Sequence, residues 1–180
     1  MMLICGRFWG FTKILRDRRG VAAIEFAIVA GFISVGALNT ADVVMYARDR
    51  MEVENATEMG AQAAWKTCDM SHLPATVNCP GLNAAITAAI QSTSLGAKVS
   101  LQMGSPAEAY YCVNASGVLT YVANTANKPA DCSAVGQPSS NPGDYIQVQT
   151  TFAFAPVFPG ITIAGTFPAT ITKTAWMRLG

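Results

Sequence analysis

The sequence predicts an α+β protein: one long N-terminal helix that crosses a membrane, its outer half packed on an antiparallel sheet with a second short helix. Three observations predict it. Val21–Leu38 is a run of 18 residues with a single charge, Glu25. The following stretch, Asn39–Lys66, contains no proline and one glycine, Gly60. Beyond Gly96 the apolar pattern changes from helical spacing to alternation.

The apolar run is close to the length needed for a bilayer core of about 30 Å. A soluble core helix keeps a polar face, and this one has none. The 180 residues leave room for the span and one modest outer domain. Charged residues are 13% of the chain, about half the usual soluble share of roughly 25%. The net charge of +1 hides an asymmetry. Residues 1–20 carry Arg7, Lys13, Arg16, Arg18 and Arg19 against Asp17, and the remainder has seven basic and ten acidic residues. A basic start keeps that end in the cytoplasm and sends the rest across. The acidic remainder argues against nucleic acid as a partner.

Residues 1–20 read as a basic leader, apolar enough through Leu3, Phe8, Trp9, Phe11, Ile14 and Leu15 to lie along a membrane surface. A secretory signal peptide would place its apolar core before the cut, whereas here the long run follows Gly20. Residues 21–43 are the span. Within it Ala23, Ala27 and Gly31 recur every four residues, as do Ala30 and Ser34, a spacing that lets helices approach closely in lipid. Glu25 points away from the first stripe. Residues 44–66 continue the helix outward, so that Val21 to about Lys66 measures roughly 70 Å. On this part Met45, Arg48, Met51 or Glu52, Asn55, Met59 and Gln62 or Ala63 trace a mixed face, and Glu52, Glu54 and Glu58 a solvated one.

Residues 67–180 form the outer domain. Thr67–Gly81 is turn-rich, with Pro74 and Pro80. Leu82–Leu95 reads as the second helix, with Leu82, Ala85, Ile86, Ala89 and Ile90 on one face and Gly96 as its stop. Val99, Leu101 and Met103 alternate as a strand. Tyr110–Val113 and Val118–Val122 flank the turn Asn114-Ala115-Ser116-Gly117. Residues 123–143 read as a surface loop. Asp144–Phe154 alternates, with Ile146, Val148, Thr150, Phe152 and Phe154 on one face, and a final strand runs from about Ala169 to Arg178.

Cys68, Cys79, Cys112 and Cys132 lie in the outer part and Cys5 in the leader. Four cysteines in an oxidising compartment read as two disulfides, with three connectivities open. Sequential pairing, Cys68–Cys79 and Cys112–Cys132, is expected because each closes a local loop, and contributes about 3 kcal/mol per bridge. Cys68, Asp69, His72 and Cys79 could in principle hold zinc. The compartment favours the disulfide, and no metal or cofactor is expected. His72 is the only histidine, so a catalytic triad would have to use it. No enzyme activity is expected.

Gly20, then four residues, then Glu25-Phe26 resembles the processing site of type IV pilin-like proteins. Residues 18–30 resemble the start of TadE-like pseudopilins from tight-adherence (Flp) pilus systems. Val53–Ala64 is similar to that family's Asn-Ala, Gly-Ala, Ala segment, and Ala175-Trp176-Met177-Arg178 to its closing strand. The resemblance covers about residues 18–65, and no motif marks 66–143. The chain departs from the short major pilins, which end soon after the first helix. The resemblance implies a pilin-like fold and a minor component of the bacterial inner membrane. Its N-terminus would be cytoplasmic and its C-terminal domain periplasmic. A prepilin peptidase would cut after Gly20, leaving Val21 as N-terminus and Glu25 as its fifth residue. Other pilins or pseudopilins and an inner-membrane assembly platform would be its partners, with Val21 and Glu25 of adjacent subunits pairing. The alternative is a single-pass anchored binding module that keeps its leader and does not polymerise.

Overall fold

The computed structural model describes residues 18–180; the leader expected over 1–20 lies outside the described residues except for its last three. Helix α1 runs without a break over Arg18–Thr67, 50 residues or about 75 Å. Residues 18–21 are all helical, so the Gly20–Val21 bond lies within α1. A 3-10 turn over Met70–His72 and a one-turn helix α2, Ala75–Asn78, lead to α3, Leu82–Gln91.

Helix α3 ends one turn before the expected Leu95. The Ser92 and Thr93 hydroxyls donate back to the carbonyls of Ala89 (2.7 Å) and Ile90 (3.0 Å). Such side chains compete with the backbone for helix bonds. The strand expected through Met103 also stops early, as β1, Val99–Leu101. The Ser105 amide closes a turn onto Gln102 at 3.0 Å, Gly104 takes φ +84°, and Met103 is left 99% exposed.

Strands β2 (Ala107–Val113), β3 (Leu119–Asn124), β4 (Gly143–Ala153) and β5 (Thr170–Arg178) complete a five-stranded antiparallel sheet. Strand β5 pairs along one side of β4, from Tyr145 opposite Arg178 to Ala153 opposite Thr170. Strands β1 and β2 share the other side of β4, and β3 lies outside β2. The expected turn joins β2 to β3: the Asn114 carbonyl oxygen of its side chain accepts from Ser116 and Val118 amides, and Gly117 takes φ +77°. The alternation expected on β4 holds, with Ile146, Val148, Thr150, Phe152 and Phe154 all buried.

The buried face of the outer half of α1 is distinct from the mixed face traced from Met45 to Gln62. Met45, Met51, Asn55, Met59 and Gln62 are exposed. Val53, Ala56, Thr57, Gly60, Ala61 and Ala64 are buried instead, spaced three and four apart. Small residues take this face because the helix axis lies close to both β4 and α3. A Cβ added at Gly60 would lie 2.7 Å from the Ile90 Cγ2 and 3.3 Å from atoms of Ile86 and Val148. One polar stitch crosses the same interface. The Thr57 and Thr150 hydroxyls are 2.6 Å apart, and Thr57 donates to the Val53 carbonyl.

At the far end of the sheet Asp144 is 3% exposed, and neither of its carboxylate oxygens has a hydrogen-bond partner. Burial, with the nearby Glu108 carboxylate adding to it, pushes its pKa up to about 7. Glu108 itself accepts from the Ala75 and Thr76 amides, each at 2.7 Å, and caps α2.

Two measurements check this packing. Gly60→Ala gains about 1 kcal/mol of helix propensity, but overpacking of roughly 1–3 kcal/mol outweighs it. The full chain in detergent should melt at a lower temperature. Gly36→Ala, with no neighbouring atom within 4 Å, should not. For Asp144 the folded pKa lies above the unfolded one, so folding favours the protonated acid and stability falls as pH rises through the interval between them. The Tm of Asp144→Asn relative to wild type should therefore climb between about pH 4 and pH 8.

Candidate membrane and assembly site

From Gly20 to Ala37 the side chains of α1 are exposed apart from a half-buried Ala30, and nothing else in the described residues packs on them. The stretch is long and apolar enough to cross a membrane. Its alanine- and glycine-bearing side is shallow: Ala27 and Gly31, with Ile28, Phe32 and Val35, line an apolar depression.

Gly20, Val21, Glu25 and Phe26 occupy the first turns of this exposed segment. Val21 and Glu25 are four residues apart and share one face of the helix. The rise between them is about 6 Å. Glu25 makes no hydrogen bond or ion pair with another described side chain. The structure therefore places the four residues close together along α1, and among the described residues no other part of the chain is brought to them. Chemically this is an accessible acceptor for an ammonium group or an amide.

The exposed segment ends at a polar anchor that the sequence reading missed. Asp42 is fully buried, and its carboxylate accepts from the Val157 amide (2.9 Å), the Phe158 amide (3.2 Å) and the Thr162 hydroxyl (2.5 Å). One turn earlier the Asn39 side-chain oxygen accepts from the Ile163 amide at 2.9 Å. These bonds fix the loop between β4 and β5 against the helix. Just above, Tyr46 packs edge-on to Phe154 (4.9 Å) and against Phe167 (4.8 Å). A signal was available: Asp42 is the only charged residue between Glu25 and Arg48, and a lone acid there needs internal donors.

The cysteines are brought together as expected. Cys68 is bonded to Cys79, with Cα atoms 5.9 Å apart, and Cys112 to Cys132, 5.7 Å apart. The first bridge ties the outer end of α1 to the segment before α3. Asp69 and His72 lie beside it, exposed and paired with each other at 2.7 Å. The Ser71 hydroxyl, then His72, hold the Asp69 carboxyl down to about 2. The exposed Glu54 pairs with Lys173 of β5 at 2.6 Å.

Removing the anchor should loosen the loop it holds. Asp42→Ala leaves two amides and a hydroxyl without their acceptor, at about 1–3 kcal/mol for a buried unsatisfied group. Amide hydrogen exchange at Val157 and Phe158 should quicken at least tenfold, while the β2–β3 hairpin keeps its protection. Comparison of the chain with protein-family models, with curated proteins and with solved structures found no match.

Proposed function

We propose that this protein is a non-enzymatic minor pseudopilin that takes part in assembling a tight-adherence (Flp, type IV-like) pilus. In this reading it is a single-pass protein of the bacterial inner membrane, with its disulfide-containing domain in the periplasm. The observation that carries the reading is the order of features on one helix. A basic block and a small residue, Arg18-Arg19-Gly20, are followed by an exposed apolar run whose single acid, Glu25, lies one turn beyond Val21.

A prepilin peptidase would cut after Gly20. That bond lies in a helical turn, so the turn must open first, and a glycine makes opening easier by about 1 kcal/mol relative to alanine. The cut frees a protonated amine on Val21. In lipid an isolated ammonium and an isolated carboxylate each cost several kcal/mol. When Glu25 of an adjacent pilin or pseudopilin meets that amine, a charge-assisted hydrogen bond removes both costs and sets the stagger between subunits. An inner-membrane assembly platform would then draw the paired chains from the membrane pool. The outer half of α1, buried against the sheet, makes the domain rigidly continuous with the part that pairs.

A second reading, an anchored binding module that does not polymerise, draws on a groove of about 400 Å³ between α1 and β5 lined by Glu54, Glu58, Gln62, Lys173 and Trp176.

Intact-mass measurement of the protein from its native membrane separates the two. A chain beginning at Val21 is expected. Glu25→Ala should stay membrane-inserted but fall at least tenfold in the sheared surface fraction. A chain beginning at Met1, with Glu25→Ala behaving as wild type, would leave the anchored module.

A further inference from the structure

We propose that the loop over residues 155–168 is a membrane foot, resting in the outer interfacial layer of the bilayer that α1 crosses. The proposal rests on the spanning reading of α1 and adds a second point of lipid contact to it.

The first support is depth. About 30 Å of hydrocarbon takes about 20 residues of helix at 1.5 Å each, which carries the span from Val21 to Ala41. The loop is bonded to α1 at Asn39 and Asp42, so its backbone sits at that boundary.

The second is charge. Residues 145–172 contain no Asp, Glu, Lys or Arg. On α1 the only charged side chain between Glu25 and Arg48 is Asp42, which is fully buried under the loop. The exposed surface of α1 is thus free of charge over residues 26–47, about 33 Å of helix. At a bilayer boundary an exposed carboxylate would cost up to a few kcal/mol, and three loop donors remove the exposure.

The third is the loop's own surface. Val157, Ile161 and Ile163 are 57%, 57% and 60% exposed, and Val43 and Val44 of α1 extend the apolar area beside them. The loop that carries this patch is bonded to α1 at Asn39 and Asp42, where the exposed side chains of the span, which face lipid in this reading, come to an end. A protein partner on the loop would have to fit over a surface bordered by acyl chains. Irregular backbone cannot enter the hydrocarbon core with unpaired polar groups. The loop is therefore held at the headgroup level, where water still reaches its carbonyls.

Depth-dependent quenching tests this on the full chain. In a Cys5→Ser background, Ile161→Cys, Phe32→Cys and Val118→Cys are each labelled with a nitrobenzoxadiazole maleimide. The proteins are reconstituted in phosphatidylethanolamine–phosphatidylglycerol vesicles carrying nitroxide lipids, labelled either near the headgroup or near the chain end. The Ile161 position should be quenched at least twofold more by the shallow nitroxide than by the deep one. The Phe32 position should show the reverse order, and Val118, on the far hairpin, neither. Val157→Cys gives a second reading of the loop should Ile161→Cys fold poorly. Quenching at Phe32 without quenching at the loop overturns the foot and leaves the span standing. No quenching at Phe32 overturns the span itself. A blue-shifted loop label that neither nitroxide quenches means a protein covers the patch, and also overturns the proposal.

Discussion

The Asp42 carboxylate, bonded to two loop amides and a hydroxyl, marks the level at which α1 changes surroundings. Below it the helix is exposed and almost wholly apolar; above it one face is packed into a folded domain. A free acid at this point would suit neither side. In an apolar medium its charge is costly, and within a packed domain an unpaired carboxylate is just as unwelcome. The loop supplies donors from its backbone, and in doing so is itself held against the helix. The domain's lower boundary is set by that exchange.

Above Asp42 the governing constraint is distance. Helix α1 approaches β4 and α3 so closely that only Val53, Ala56, Thr57, Gly60, Ala61 and Ala64 fit between them. Large side chains come from the other partners, as Ile86, Ile90, Ile146 and Val148. Interlocking small residues on one element with large ones on its neighbours makes a close-packed interior, and it couples any displacement of the exposed half of α1 to the sheet. The Cys68–Cys79 bridge secures the outer end of the same helix, immediately past its last turn.

Much of this was legible from periodicity. The alternation on β4 and the four-residue spacing of Leu82, Ile86 and Ile90 each follow from one side-chain repeat, and each is buried as read. The hairpin at Asn114–Gly117 followed from turn chemistry. The inner face of outer α1 was not legible, because its small residues carry too weak an apolar signal to stand out from the mixed face beside them. What selects that face is the space available, and space depends on neighbours remote in sequence. Asp42 was missed for a related reason: its partners are more than a hundred residues away. The ends of α3 and β1 were misread where Ser92, Thr93 and Ser105 form local hydrogen bonds that override the apolar pattern. The residues proposed for processing and assembly, Gly20, Val21, Glu25 and Phe26, are marked in the sequence by their order, and the fold adds that they stand clear of the described domain.

The two acids of the apolar stretch also bear on each other. Asp42 and Glu25 lie on the same helix, 17 positions apart, and both face the same energetic problem. The fold answers it for Asp42 by bringing up a loop with three donors. For Glu25 it brings up nothing among the described residues, although a chain that encloses one acid this fully could have placed a donor near the other. In a chain that spans the bilayer as proposed, an acid with no partner among the described residues would find one on another molecule. The candidate of matching chemistry is an ammonium group at the same depth, and a chain cut after Gly20 carries one on Val21. On the proposed spanning reading, a carboxylate at that depth suits an assembling protein better than a solitary anchor, which leucine there would hold more firmly.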